Sequence, residues 1–486
     1  MIMNVRTRMA PSPTGEYHIG HIRTVLFNCA LAKANKGKFI IRIEDTDRER
    51  FVEGAVDRIL DVIKDYGLAW DEGPRVGGDF APYVQSERLD LYKEYAKKLV
   101  EAGHAYYCFC TPDRLDEVRK LQQEQKLPVT KYDRHCISLT SEEISKNLDK
   151  KMPYVIRLKV PQNQTIDFTD EVLGAMSINS NDIDDSVLLK SDGYPTYHLA
   201  VVIDDHLMKV SHVMRGIDWL PSTPKHVLLY RAFGWEIPKL VHLPNLKEKG
   251  ENKKLSKRFG SVYAISFLEE GYLPEALVNF CMLLGWNPGT EQEIISLDEF
   301  IKMFSIEKLH KSDLVAFDRD KLLWMNGHYI RSLSQKELLL KLRSWADKFG
   351  QDLGTTGFED DYIQKALLLV QDRIKRLSEF KEYSEFFFKE PKVDLDLVKK
   401  FAGDNLKSVV MAFYSLYESI KPEDWNSSNL DMLSHEELTK HGFKTKEAFM
   451  TLRVLLSGKE ATPPLFDIME LLGKKVVLER LGHFTS

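Results

Sequence analysis

Cysteine is scarce, with five in 486 residues. Cys29, Cys108, Cys110, Cys136 and Cys281 form an odd, scattered set, which argues against a disulfide framework. No apolar run is long enough to cross a bilayer, and the first ten residues lack the apolar core of a signal peptide, so the expected compartment is the cytoplasm. Neither sign of charge dominates. The 68 Lys+Arg against 73 Asp+Glu leave a formal net charge of −5, which excludes a protein that coats nucleic acid by global charge and leaves room only for local basic patches. Low-complexity tracts and repeats of solenoid period are absent too. What is present is ordinary for a protein in water, 43% hydrophobic and 29% charged residues. The length alone predicts about three to five domains.

The chain opens as strand, turn, helix and strand. Val5 to Ala10 alternates, Pro11 to Gly15 breaks the run, Ile22 to Asn35 has helical period, and Phe39 to Ile43 is an apolar run suited to a buried parallel strand. This βαβ unit predicts a doubly wound α/β sheet with its ligand beyond the carboxyl ends of the strands. From about Tyr83 to Lys190 the composition turns polar, with helical stretches, the cysteine cluster and a β-rich segment from Tyr154 to Leu173, as in an inserted domain. Strand-like runs at Tyr197 to Ile203 and Lys209 to Met214, with a helix at Thr223 to Ala232, complete the sheet. After Gly260 the pattern is nearly all helical, with apolar spacing at Leu338 to Trp345, Ile363 to Val370 and Leu465 to Leu472.

Two segments carry chemistry. His18-Ile19-Gly20-His21 lies where the first strand turns into the first helix, a place where free N–H groups and the helix dipole favour an anion. No Walker A loop or G-x-G-x-x-G fingerprint stands there, so another device must hold a phosphate. Two imidazoles can donate hydrogen bonds, and Gly20 leaves space for a flat base. Capping of the helix is the competing role for each histidine. The second segment is Lys254-Leu255-Ser256-Lys257-Arg258, in a basic stretch that also holds Lys247, Lys249 and Lys253. By itself it reads equally as a solvated loop.

Together the two segments resemble the signatures of class I aminoacyl-tRNA synthetases, H-I-G-H and K-M-S-K-S, with Leu255 for Met and Arg258 for the last Ser. Arg8-Met9-Ala10-Pro11-Ser12-Pro13-Thr14-Gly15 resembles the opening of the glutamyl branch. The resemblance runs from Val5 to about Leu481, through Tyr83 to Arg88, Trp324 to Gly327 and Pro464 to Ile468. It implies a class I Rossmann-type α/β catalytic domain, split between 1–82 and 191–230. An inserted α+β acceptor-end domain would occupy 83–190, and a connecting domain with the lysine-rich loop 231–337. An all-α anticodon-binding half would follow at 338–392 and 393–486. The implied activity is formation of glutamyl adenylate from L-glutamate and ATP with Mg²⁺, in the presence of tRNA, then transfer to tRNA(Glu) by a monomer.

The resemblance also assigns residues. His18, His21, Lys254 and Lys257 would be catalytic. ATP would be bound by His18, Gly20, His21, Asp218, Leu246, Lys254, Ser256, Lys257 and Arg258, and Trp219 would lie toward the ATP and tRNA end. For glutamate, Arg8 and Tyr197 would take the side-chain carboxylate, Arg215 the α-carboxylate and Glu44 the α-ammonium, with Ala10 and Ser12 lining the pocket. Val201 departs from an Asn common in the family. Cys108, Cys110 and Cys136 resemble three ligands of the zinc knuckle of some relatives, but Ser138 stands at the fourth position and a hydroxyl is a poor zinc ligand. Arg373, in Asp372 to Leu377, matches an arginine that reads the anticodon in enzymes charging tRNA(Glu) alone; the alternative is a form that also charges tRNA(Gln). A small-molecule nucleotidyl transferase would leave the helical C-terminal half unexplained. A catalytically dead tRNA-binding protein would be expected to lose Glu44, Arg215 or Lys257, and all three are present.

Overall fold

A computed structural model describes residues 5–127, 129–255, 258 and 260–485. The chain divides into two compact units. The first runs to Ile265 and takes in Leu277–Asp318; the second comprises Ser266–Ala276 and the chain from Arg319 onward.

The first unit is built on parallel strands. β1 (Arg6–Met9) and β2 (Lys38–Ile41) pair in parallel, joined by helix α1 (Ile19–Ala34). Phe39, Ile40 and Ile41 are wholly buried, which is why this strand reads as an unbroken apolar run. A small sheet in the order β3 (Ala105–Cys108), β4 (Val155–Leu158), β7 (Val187–Leu189) follows in the polar segment. The hairpin β5 (Thr165–Asp170) and β6 (Gly174–Asn179) instead extends the sheet of β8 (His212–Gly216) and β9 (Lys239–Leu243), in the order β6-β5-β9-β8. β8 runs parallel to β9, and Asp170 pairs with Leu240. At its start β8 meets β1, because Ser211 N donates to Arg6 O at 2.9 Å. From β1 the chain winds outward one way to β2, and from β8 the other way to β9. The gap above β1 and β8 is therefore a topological switch point.

Two expectations fail here. Tyr197–Leu207 is a helix, not a strand. Leu199 to Ile203 are buried on every side of it, so the apolar run loses the helical period by which it would have been recognised. Leu314–Phe317, in the stretch expected to be nearly all helical, is a strand (β11) parallel to β10 (Asn245–Glu248). Four residues are too few to display alternation.

The second unit is helical around one apolar core that includes Leu342, Trp345, Leu367, Phe380, Phe413 and Leu452. Ser334 caps the Gln335–Phe349 helix in a reciprocal box with Glu337, and Gly350 ends it in the left-handed conformation a side chain would resist. Among the described residues no helix is long and apolar enough to cross a membrane.

Candidate active site

A cavity of about 1040 Å³ opens at the switch point, lined by the carboxyl end of β1 (Arg8 to Ala10), that of β8 (Met214 to Gly216), and Ser12, His21, Glu44, Tyr197 and Trp219. Arg8, Ala10, Ser12, Glu44, Tyr197 and Arg215, the expected glutamate set, thus meet in one place.

Arg8 is buried, and its Nε donates to both oxygens of Asp205 at 3.1 and 3.2 Å. Its two terminal nitrogens have no hydrogen-bond partner among the described residues, a fork open to an anion. Glu44 lines the same cavity, within electrostatic reach of Arg8 and gripped by Arg42, whose Nη2 donates at 2.9 Å. Burial raises the Glu44 pKa above the usual carboxylate range, against the pull of Arg42 and Arg8. Arg42 is fully buried and also pairs with Asp205 at 2.8 Å and Asp204 at 3.6 Å. Asp205 thereby joins Arg8 to Arg42. The sequence reading missed this support, although Arg42 stands two residues before Glu44 on an extended segment, where both side chains share a face.

Arg215 is held differently. Its Nε donates to His242 Nε2 at 3.1 Å, Nη1 to the Tyr197 hydroxyl at 3.0 Å and His226 Nδ1 at 3.2 Å, and Nη2 to Thr223 Oγ1 at 2.8 Å. A weaker contact joins Nη2 to Trp219 O at 3.4 Å. Among the described residues every partner is neutral, and no carboxylate touches this buried cation. The Tyr197 hydroxyl, having accepted from Arg215, keeps its own proton for a ligand in the cavity. Val201 is 2% exposed in the apolar core and does not line the cavity, so it offers no contact there.

The histidine segment combines both roles left open by the sequence. His18 caps α1, its Nδ1 accepting from Gly20 N at 3.0 Å. Capping fixes the tautomer, with the proton on Nε2. Burial, with His21, Lys254 and Arg23 nearby, lowers the His18 pKa to about 4. His21 lines the cavity in a recess that solvent still reaches; desolvation there, then the charges of Lys254 and Arg23, lowers it to about 4. Near neutral pH both are uncharged donors. A Cβ on Gly20 would lie 3.2 Å from His18 Nδ1 and 3.7 Å from Leu246 Cδ1, so any side chain there would press on the capping ring. Leu246 begins the loop hairpin: Leu255 N donates to Leu246 O at 2.7 Å, and Lys247 faces Lys254. The Lys254 ammonium is paired with Asp218, whose other oxygen accepts from Asn245 at 2.6 Å. Arg258 is exposed; Ser256 and Lys257 lie outside the described residues.

The sulfurs of Cys108, Cys110 and Cys136 lie within 4.8 Å of one another. Ser138 does not complete the set, because it is exposed and its hydroxyl turns to His135 O at 3.4 Å. The fourth group is Tyr132, whose hydroxyl is 3.3 Å from both Cys108 Sγ and Cys110 Sγ. The spacing Tyr132-x-x-x-Cys136 is the signal that was overlooked. Hydrogen bonding from Cys136, then Tyr132 and Arg157, overcomes burial and lowers the Cys108 thiol to about 4. Arg373 is exposed, in a turn that follows the Asp360–Val370 helix.

Residues 4–324 match the family described as tRNA synthetases class I (E and Q), catalytic domain, and residues 337–485 match the anticodon binding domain; the chain belongs to that family. It is 43% identical over 493 residues to the glutamate–tRNA ligase of Clostridioides difficile, covering 99% of each chain. It is 42% identical over 484 residues to that of Borreliella burgdorferi, covering 99% of this chain and 98% of the relative. The crystal structure of a glutamate tRNA ligase from Elizabethkingia meningosepticum in complex with its amino acid superposes with a TM-score of 0.91 at 35% identity, over 99% of both chains.

Proposed function

We propose that this chain is a glutamate–tRNA ligase, which activates L-glutamate with ATP and passes it to the 3′ end of tRNA(Glu). The observation that carries this reading is the open Arg8 fork in the same cavity as the Glu44 carboxylate. A ligand with a carboxylate at one end and an ammonium group at the other fits that pair, and the charge of Arg215, in direct contact with no carboxylate among the described residues, suits its second carboxylate. In the first step a carboxylate oxygen bonds to the α-phosphorus as the bond to pyrophosphate breaks. Charge grows on the phosphoryl oxygens, where His18 and His21 donate and the loop lysines Lys254 and Lys257 supply cations. Mg²⁺ accompanying ATP would offset part of the phosphate charge. In the second step a ribose hydroxyl of the tRNA end attacks the carbonyl and AMP leaves. Asp218, Leu246 and Trp219 belong to the nucleotide side. The inserted, connecting and C-terminal regions keep the roles expected of them, with β5, β6 and β9 joined to the sheet of the catalytic domain, and the chain acts as a monomer in the cytoplasm.

ATP/pyrophosphate exchange tests the reading. Turnover is expected with L-glutamate plus tRNA(Glu), with little in the absence of tRNA and little with glutamine; efficient turnover on glutamine, or none with any tRNA, would sink it. Arg373 supports charging of tRNA(Glu) alone, so tRNA(Gln) transcripts should remain uncharged in the same assay.

Three sulfurs and a phenol oxygen also suit a structural zinc. The 3.5 Å separation of Cys110 and Cys136 is close to the roughly 3.8 Å edge expected of a tetrahedron with Zn–S bonds of about 2.3 Å. Such an ion would tie β3 to the Tyr132–Cys136 segment and take no part in catalysis. Purified protein should carry about one zinc per chain, and Cys136→Ser should lose it. Metal-free wild type with full thiol reactivity would show that the cluster is only a thiol trio.

A further inference from the structure

We infer that Asp170 and His242 act as a positioning pair for Arg215, holding its guanidinium through a neutral nitrogen acceptor so that its charge stays available to a substrate carboxylate. The inference rests on the reading of Arg215 given above. Its starting point is the contrast between the arginines of the cavity: Arg8 and Arg42 are each paired with Asp205, whereas Arg215 meets only neutral groups.

The hydrogen-bond chemistry leaves one arrangement. Arg215 Nε can only donate, so His242 Nε2, 3.1 Å away, must present a lone pair. The imidazole proton then sits on Nδ1, which points at Asp170 Oδ2 at 2.7 Å. Asp170 itself cannot turn. Its Oδ1 accepts from Val172 N and Leu173 N, both at 2.9 Å, and its Oδ2 also accepts from His242 N at 3.2 Å. The same reasoning applies on the other flank, where His226 Nδ1 accepts from Arg215, leaving His226 Nε2–H to donate to His198 Nδ1 at 3.1 Å. Burial keeps both His242 and His226 below the ordinary imidazole range, so each stays uncharged beside the guanidinium.

Asp170 thus compensates Arg215 at one remove. A carboxylate in the place of His242 would orient the guanidinium equally well but would neutralise it and compete with the incoming anion. The imidazole transmits orientation without forming the ion pair. Asp170 lies at the end of β5 and His242 in β9, strands that neither motif nor spacing connects to Arg215.

Asp170→Asn tests the pair. The amide NH₂ would oppose two close backbone donors at Val172 and Leu173 on one side and only the more distant His242 N on the other, so it faces His242, moving the imidazole proton to Nε2 and setting donor against donor at Arg215. The expected result is a glutamate KM raised on the order of tenfold or more, with the ATP KM and the saturated rate little changed. Adding His242→Gln, whose amide oxygen can accept from Arg215 without help from Asp170, should recover most of the loss. A purely structural role for Asp170 in its turn would not be rescued in this way. An unchanged glutamate KM in Asp170→Asn, or a raised one that His242→Gln does not improve, overturns the pair. If Asp170→Asn does not fold, His242→Leu against His242→Gln in the native background decides: only the leucine should raise KM, and equal values overturn the inference. Arg215→Lys separates the two levels. If it too leaves the glutamate KM unchanged, the reading of Arg215 fails and the inference falls with it. If it raises KM while Asp170→Asn does not, only the pair fails.

Discussion

Arg8→Lys is expected to raise the glutamate KM roughly 100-fold while leaving the ATP KM unchanged, and to erode the preference for glutamate over glutamine. The wild-type side chain divides its work. Nε is bound by Asp205, which aims the plane, and the terminal nitrogens are left for the ligand. Lysine can reach Asp205 or the ligand, but it has no planar fork with which to serve both. Two charge-assisted hydrogen bonds at about 1.5–3 kcal/mol each give way to one bond of poorer geometry. A net loss near 3 kcal/mol corresponds to the stated factor. Selectivity should fall for the same reason, because a fork of donors opposes the NH₂ of a glutamine amide and a single ammonium opposes it less. Steady-state exchange with each amino acid measures both quantities. An unchanged glutamate KM, or one raised in proportion for glutamine, would place the side-chain carboxylate elsewhere.

What the sequence conveyed and what it withheld divide along physical lines. The βαβ opening was legible because β2 is buried on both faces and the Pro11–Gly15 break falls where the strand must turn. The residues that touch the cavity were legible as types at stations: an acid at a strand end, arginines, and histidines flanking a glycine. Their supports were not. Asp205 and Arg42 are 163 positions apart, and Asp170 and His242 are 72 apart, so their pairing exists only after the sheet closes. The Tyr197–Leu207 helix was misread because the burial that makes it important also erases its period. At the cysteine cluster the fourth group is a phenol four residues before Cys136, which only the fold brings against the sulfurs.

Arg42→Met should be the most destabilising single change in the first unit, by about 3–5 kcal/mol in urea unfolding. Arg42 has no solvent exposure and contacts three carboxylates, Glu44, Asp204 and Asp205. With Arg8 on Asp205 and Arg88 on Asp204 at 2.8 Å, three cations balance three anions in one buried network. Methionine fills much of the volume, so the loss is electrostatic and not a cavity effect. The pH dependence distinguishes this cause from poor packing. Burial already holds the Glu44 pKa above its unfolded value, and removing Arg42, the largest opposing influence, must raise it further. A carboxyl with a raised folded pKa binds more protons folded than unfolded, so its contribution to stability grows as pH falls through that pKa. The gap between variant and wild type should therefore narrow as the pH falls from neutral toward the carboxylate range. Buried histidines such as His212 and His242, whose lowered pKa values make stability fall over the same range, act equally on both proteins and cancel in the difference. A gap that is constant with pH would assign the loss to packing and remove the charge network from the account of how Glu44 is held.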